Sequence, residues 1–369
     1  MRKTLSIVLA VLLLAAMTVP AFGNSEPETT QAPAELSEIN KKLADILVDK
    51  VTIPEDSAES FELDWLIFTL SLPEIGKRDA LPEGEYLAYV QECYNNVENL
   101  TLTALCRWLL ALRSLQSPRD KSNDLKWDIQ KILLERFKDW DLAAETSTNA
   151  LATAVYVMEM HDINPKPVQD ILVASSRGFA GWNYALAVDE NDPFTKDADV
   201  DTTAMVLAAL YPREYGISDR KTATEGGESW MISQQLPSGG WASFGNPSAE
   251  STAQVIIAMS ALRHDQKHTA SSESLTPLES LEDFRLESGE IGWDGVANTV
   301  AGEQVLRANA AYLRFLNTQT SIYTIKQIAE EPKDHMLIKT LAICGTVAVL
   351  GGVAFFAWRK KKDITSEEA

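Results

Sequence analysis

Between residues 60 and 325 the chain alternates blocks of almost unbroken apolar residues with polar, loop-like stretches. The blocks are "LTALCRWLLAL" with Thr103, "ATAVYVMEM" with Thr153, "TTAMVLAAL" with Thr203, "STAQVIIAM" with Thr252 and "AGEQVLRAN" with Gly302, recurring about every fifty residues. Each has a small or polar start, few β-branched alternations and apolar side chains on nearly every face, which predicts a helix buried between two layers. More amphipathic segments such as "SNDLKWDIQKILLERF" predict helices that cover the buried ones, and "FELDWLIFTLSL" supplies a sixth, less regularly spaced unit. A single helix pair cannot bury its own inner face, so the units must stack, either as an open superhelical array or as a closed two-layered ring.

The two ends carry a different pattern. Residues 1–23 begin with Arg2 and Lys3, continue as an apolar run and end in small residues at Ala21 and Gly23, the expected form of an export signal. Residues 24–40 are polar and proline-containing without apolar period, and predict a disordered leader. After a globular part over 41–325 and a polar link over 326–335, residues 336–358 contain the uncharged run "LAICGTVAVLGGVAFFAW" and are followed by "RKKK" within a tail over 359–369. That arrangement predicts a single transmembrane helix with a cytoplasmic tail, which places the bulk of the chain outside the plasma membrane.

A formal net charge of −20 disfavours nucleic acid as a partner, because phosphate binding needs a basic face. Of the three cysteines, Cys344 lies in the expected anchor; Cys93 and Cys106 are left either bridged or as two buried thiols.

The loops between the blocks sharpen the architecture. "QQLPSGGWASFG" at 234–245 and "SSRGFAGWNYALA" at 175–187 resemble the glutamine-tryptophan turns of prenyltransferase and squalene-cyclase repeats. The resemblance implies an α/α toroid of six helical hairpins. The turn also makes physical sense alone: Gly239 and Gly240 permit a tight reversal, Trp241 closes over it, and Gln234 or Gln235 can bond its backbone. The last unit, containing "LESGEIGWDGVANTVAGEQVL", is similar to exported Gram-positive members of that family and to the helical domain of transcobalamin-like carriers, which implies a corrinoid-like or small hydrophobic ligand.

Enzymes that the resemblance brings to mind leave traces that are incomplete. "DVDTTA" at 199–204 resembles the acidic motif with which squalene cyclases protonate an alkene, making Asp201 a candidate general acid, but Thr202 stands where a further acid belongs. The zinc ligands of protein prenyltransferases are absent. "AGEQ" at 301–304 matches the thioester element of complement-like proteins except that Ala301 has no thiol. The acids Asp189, Glu190, Asp192, Asp197, Asp199 and Asp201 invite a calcium reading, yet Thr202 and Ala208 occupy the glycine and glutamate positions of an EF-hand loop, so a solvated acidic loop is expected. No cofactor is required; a corrinoid or calcium are the two the chain would suggest.

A pocket remains. Two residues before the repeat position stand Thr101, Leu151, Asp201, Glu250 and Val300, so two consecutive units place a carboxylate at equivalent helix starts, where it either caps the helix or meets a ligand. Gln254 aligns with Gln304 one turn deeper. Trp182, Tyr184, Trp241, Phe244 and Trp293 all precede inner helices and are expected to gather at the same mouth, with Asp199 beside them. These residues predict a surface-anchored binding protein for a small hydrophobic ligand or another surface protein. The alternatives are a cyclase-like or other lyase enzyme using Asp201, and a scaffold with no small ligand.

Overall fold

The structure, a computed structural model, describes residues 32–55, 59–96, 100–116, 124–178, 180–210, 218–265 and 275–324. The chain divides into two units, residues 1–39 and 40–369. Of the first, the described residues are 32–39, the opening turns of helix α1 (Ala32–Val48). Residues 32–40 are therefore helical rather than part of a disordered leader. The stretch carries leucine and isoleucine at helical spacing from Leu36 onward, a signal that the prolines and glutamates around it mask.

In the second unit six helices form an inner layer: α2 (Phe61–Leu70), α4 (Leu102–Leu115), α6 (Thr148–Met160), α8 (Val200–Leu210), α10 (Ala249–Ala261) and α12 (Thr299–Thr318). Between them in sequence come α3 (Glu83–Asn96), α5 (Leu125–Lys138), α7 (Lys166–Ala174), α9 (Ser218–Ser233) and the short α11 (Pro277–Ser280), which pack outside. The inner helices are buried on nearly every face, as a helix between two layers must be. All six begin alike. Ser60, Thr101, Ser147, Asp199, Ser248 and Asn298 each accept, through a side-chain oxygen, the backbone N–H three residues on, at 2.7 to 3.2 Å. This satisfies one of the donors that a helix start leaves open.

Each inner helix packs on the next, and the last packs on the first. The ring is closed. At the closing seam the Arg307 guanidinium lies 4.0 Å over the Trp65 ring, the Thr69 hydroxyl donates to Glu303, and Arg314 forks onto both oxygens of Glu74 at 2.7 and 2.6 Å. Tyr323, beyond α12, stacks on Tyr156 of α6 at 3.8 Å and on Phe68 of α2 at 5.9 Å. Those two helices are not neighbours in the ring, so this side chain fills its interior. The architecture is all-α with toroidal closure, and two short hairpins are its only paired strands among the described residues: β1 (Trp241–Ser243) with β2 (Asn246–Ser248), and β3 (Gly292–Trp293) with β4 (Val296–Ala297).

The glutamine-tryptophan turns are built twice in the same way. The Trp182 indole N–H donates to Leu172 O at 2.6 Å and the Trp241 indole to Met231 O at 2.7 Å, each reaching back ten residues to the preceding outer helix. Their backbone N–H groups donate to the hydroxyls of Thr203 and Thr252, at 2.9 and 3.0 Å. The repeat threonine thus ties the turn to the inner helix that follows. A Cβ on Gly240 would meet the Thr252 oxygen at 2.9 Å, which is why glycine precedes the tryptophan.

Thr153 instead bonds back to Asn149 O within its own helix, and Thr101 is itself the cap of α4. The register read across all five blocks is therefore geometrically equivalent only from Thr203 onward.

Cys93 and Cys106 are free, buried thiols, and burial raises both above the ordinary thiol range. Among the described residues no helix is long and apolar enough to cross a membrane. The expected export signal, link, anchor and tail, at 1–23, 326–335, 336–358 and 359–369, lie outside the described residues.

Candidate functional site

Because the inner helices run parallel, their starts share one end of the ring, and a cavity of about 680 Å³ opens there over α6 and α8. The loop before α8 supplies Asn183, Tyr184, Phe194 and Asp199; α8 supplies Asp201; α6 supplies Asn149. Trp230 and Gln234 come from the end of α9, and Phe244 from the tip of the first hairpin. Tyr184, Asp199, Asp201 and Phe244 are thus brought together as the sequence suggests. Asn149, Asn183, Phe194, Trp230 and Gln234 are additions. Phe194 sits inside the acidic loop, and Trp230 ends an outer helix, so neither carried a periodic signal pointing to the mouth.

The loop is held by its own polar groups. Asn183 donates to Phe194 O and Asp197 O at 2.8 and 2.6 Å. Arg177 spends its donors on the carbonyls of Thr195, Ser175, Leu186 and Ala185. Asp189 and Asp192 close local turns by accepting the N–H groups of Asn191 and Phe194. Among the described residues no group of three or more His, Cys, Asp or Glu is arranged to hold a metal ion.

The two acids of the cavity have different tasks. Asp199 accepts from Thr202 N at 2.7 Å and Tyr184 N at 3.1 Å, so its oxygens are committed to the helix start and the loop. Burial raises its carboxyl, and those hydrogen bonds hold it back. Asp201 makes no comparable commitment. Its Oδ1 is buried without a protein hydrogen-bond partner, and burial pushes the carboxyl up to about 6, with Ser251 opposing and the charges of Asp199 and Glu250 adding to the rise. A carboxyl with that pKa is partly protonated near neutrality.

Glu250 stands at the equivalent position of the next inner helix, accepting from the Ser248 hydroxyl at 3.2 Å and the Asn298 amide at 3.1 Å. Gln254 donates to Gln304 at 3.0 Å one turn deeper. These three lie beside the cavity, not in its lining.

The aromatic residues divide. Trp182 and Trp241 are fully buried, in the wall and out of reach of a ligand at the mouth, because their indoles are spent on the turns. Phe244 is 96% exposed, Phe194 72% and Tyr184 48%. Phe244 holds φ at +47° in the hairpin turn, a conformation uncommon for a bulky side chain, whereas Asp294 takes the matching place in the second hairpin. Trp293 is half exposed on that second hairpin, 5.6 Å from Phe284, and does not line the cavity.

No protein-family model and no curated protein sequence matches the chain. Solved structures do. A glycosyl hydrolase family 88 protein from Bacteroides vulgatus is similar with a TM-score of 0.55 at 14% identity, over 77% of this chain and 99% of that one. A polysaccharide lyase is similar with a TM-score of 0.55 at 13% identity, over 78% and 99%. At such identity the likeness is one of fold, and it supports the helical toroid. The narrower grouping with prenyltransferases and squalene cyclases is not what these neighbours represent.

Proposed function

We propose that the protein is a carbohydrate-active enzyme that takes an uncharged saccharide into the 680 Å³ cavity and hydrolyses it with Asp201 as general acid. The observation that carries the reading is Asp201 itself: a largely buried carboxyl, raised to about 6, with one oxygen unclaimed by the protein, at the wall of an aromatic cavity. Its proton would pass to the glycosidic oxygen as the bond to the departing sugar breaks. We assign the removal of a proton from the attacking water to Glu250, which stands beside the lining at the equivalent position of the next inner helix and is ordered by Ser248 and Asn298.

Tyr184, Phe194 and Phe244 offer ring faces to the apolar faces of sugars, and the amides of Asn149 and Gln234 suit hydroxyl groups. Both fold neighbours are by name enzymes of carbohydrate chemistry, which supports this reading over a carrier. Elimination from a uronate fits less well. That reaction needs the sugar carboxylate neutralised, and among the described residues no Lys, Arg or His lines the cavity.

A second reading keeps a binding protein without catalysis. It is favoured by the exposure of Phe244 and Phe194, a rim that suits an apolar ligand or another surface protein, and by the burial of the unclaimed Asp201 oxygen. The paired tryptophan turns support kinship with prenyltransferase and squalene-cyclase repeats, so a cyclase-like use of Asp201 on an alkene, or a transcobalamin-like carrier of a corrinoid, belongs to the same comparison. We place the toroid outside the plasma membrane on the sequence of the two ends alone.

The discriminating experiment incubates full-length protein and its Asp201→Asn variant with neutral oligosaccharides and follows products by mass spectrometry. Hydrolysis that falls by about a hundredfold or more in the variant, with binding retained, supports the acid role. Binding of equal strength in both proteins with no product from either points to the carrier.

A further inference from the structure

The two hairpins at the mouth end of the ring carry the same turn with different chemistry. β1 and β2 pair Ser243 with Asn246, and β3 and β4 pair Trp293 with Val296, so each loop has two residues. Backbone φ is +47° and +82° at Phe244 and Gly245, and +50° and +79° at Asp294 and Gly295. Positive φ at both central positions gives a turn whose twist matches the strands beside it, and it selects Asn, Asp or Gly at the first of them. Asp294 obeys that selection. Phe244 does not, because a bulky side chain at positive φ crowds its own backbone and has no polar atom to bond the turn.

Each hairpin leads straight into the cap of an inner helix, Ser248 for α10 and Asn298 for α12, so the second is an internal control for the first. A Cβ added at Gly245 or Gly295 would meet nothing within 4 Å, and both tips therefore stand in open space. No neighbour in the fold demands a phenylalanine there. At 96% exposure the ring gains almost no packing to offset the strain, yet it lines the 680 Å³ cavity. A strained residue held without internal contacts is explained by a contact outside the chain.

We propose that Phe244 is a specificity-determining residue of the mouth, whose ring stacks on the apolar C–H face of a sugar in a neutral polysaccharide, and that the first hairpin gives up turn stability to hold it there. This rests on the reading of the cavity as a saccharide site. Asn149 and Gln234 line the same cavity, and a ligand that meets aromatic rings and amides together is one with an apolar face and hydroxyl edges. Among the described residues no cationic side chain lines it, which suits an uncharged sugar. A ring so exposed at the rim is reached by a ligand that extends out of the cavity, which favours a chain of several sugars over a single one.

The test uses the full-length protein with Asp201→Asn as its reference, so that no ligand is consumed, and follows retention by a soluble glucan, xylan, mannan and galactan in affinity electrophoresis together with thermal melts. Adding Phe244→Asn, which gives the turn its preferred residue, should raise the melting temperature by about 2 °C and weaken binding to the polysaccharide that retains the reference by about tenfold. Phe244→Trp keeps a ring and should bind within about threefold of the reference. Asp294→Phe, the reciprocal change on the second hairpin, should lower the melting temperature by about 2 °C and leave binding unchanged. The inference is overturned if none of the four polysaccharides retains the reference, if Phe244→Asn binds as the reference does or melts no higher, or if Phe244→Trp loses binding as Phe244→Asn does. Binding that depends on Phe244, in a protein that releases no product even with Asp201 present, sustains the inference and removes the hydrolase reading. Hydrolysis that Asp201→Asn abolishes and Phe244→Asn leaves intact does the reverse.

Discussion

The side-chain amide of Gln254 donates to the Oε1 of Gln304 at 3.0 Å, joining residues fifty positions apart on neighbouring inner helices. The bond makes the sequence repeat a spatial one. Helices α10 and α12 lie parallel and in register, and the same register sets Asp201 of α8 and Glu250 of α10 at one level of the mouth. The charge of Glu250 accordingly contributes to the raised carboxyl of Asp201.

Ring closure rests heavily on the Arg314–Glu74 fork, whose two side chains are largely buried. Glu74→Gln keeps the shape but leaves the guanidinium without its counter-charge. The expected cost is about 3 kcal/mol, seen as a lower denaturant midpoint with an unchanged slope. A midpoint within error of the parent shows that the seam does not depend on this pair.

The tryptophan turns should be structural. Gly239 holds φ at +89°, and a Cβ there would run into the Leu275 carbonyl. Gly239→Ala is expected to lose about 2 to 4 kcal/mol, and Trp241→Ala, which empties a fully buried site, about 3 to 5 kcal/mol. Phe244→Ala at the exposed tip should leave thermal stability within about 0.5 kcal/mol of the parent. Its effect, if the mouth is the site, appears in ligand affinity, and an affinity unchanged by Phe244→Ala removes that ring from the rim.

Asp201 makes a pH signature. Its carboxyl is raised from 3.8 to about 6, so between those values the folded chain holds more protons than the unfolded one. Stability therefore falls as pH rises from about 4 through 6 on account of this group, and the penalty persists above. Asp201→Asn should then be more stable than the parent at pH 7, by roughly 2 kcal/mol, with the advantage gone near pH 4. A variant whose stability tracks the parent at both pH values means that Asp201 is not raised.

Much of this was legible in the apolar blocks. Helices buried on all faces read as such from "TTAMVLAAL" and "STAQVIIAM", and Thr203 and Thr252 repeat because both hold a tryptophan turn. Thr103 and Thr153 only looked equivalent. In the first half of the ring the caps, Ser60, Thr101 and Ser147, fall at spacings set by loop length, which apolar periodicity does not record. At the mouth, the exposure of Phe244 and the burial of Trp241, three residues apart, follow from the hairpin between them.

The pH profile of oligosaccharide hydrolysis reads the Asp201 proton directly. With full-length protein and a neutral oligosaccharide that binds, kcat should decline as pH rises through about 6, as the Asp201 proton is lost, and Asp201→Asn should lower kcat by about a hundredfold or more while KM stays close to the parent's. Hydrolysis that continues undiminished in Asp201→Asn, or a rate that does not change across that pH range, contradicts the assignment of Asp201 as the proton donor.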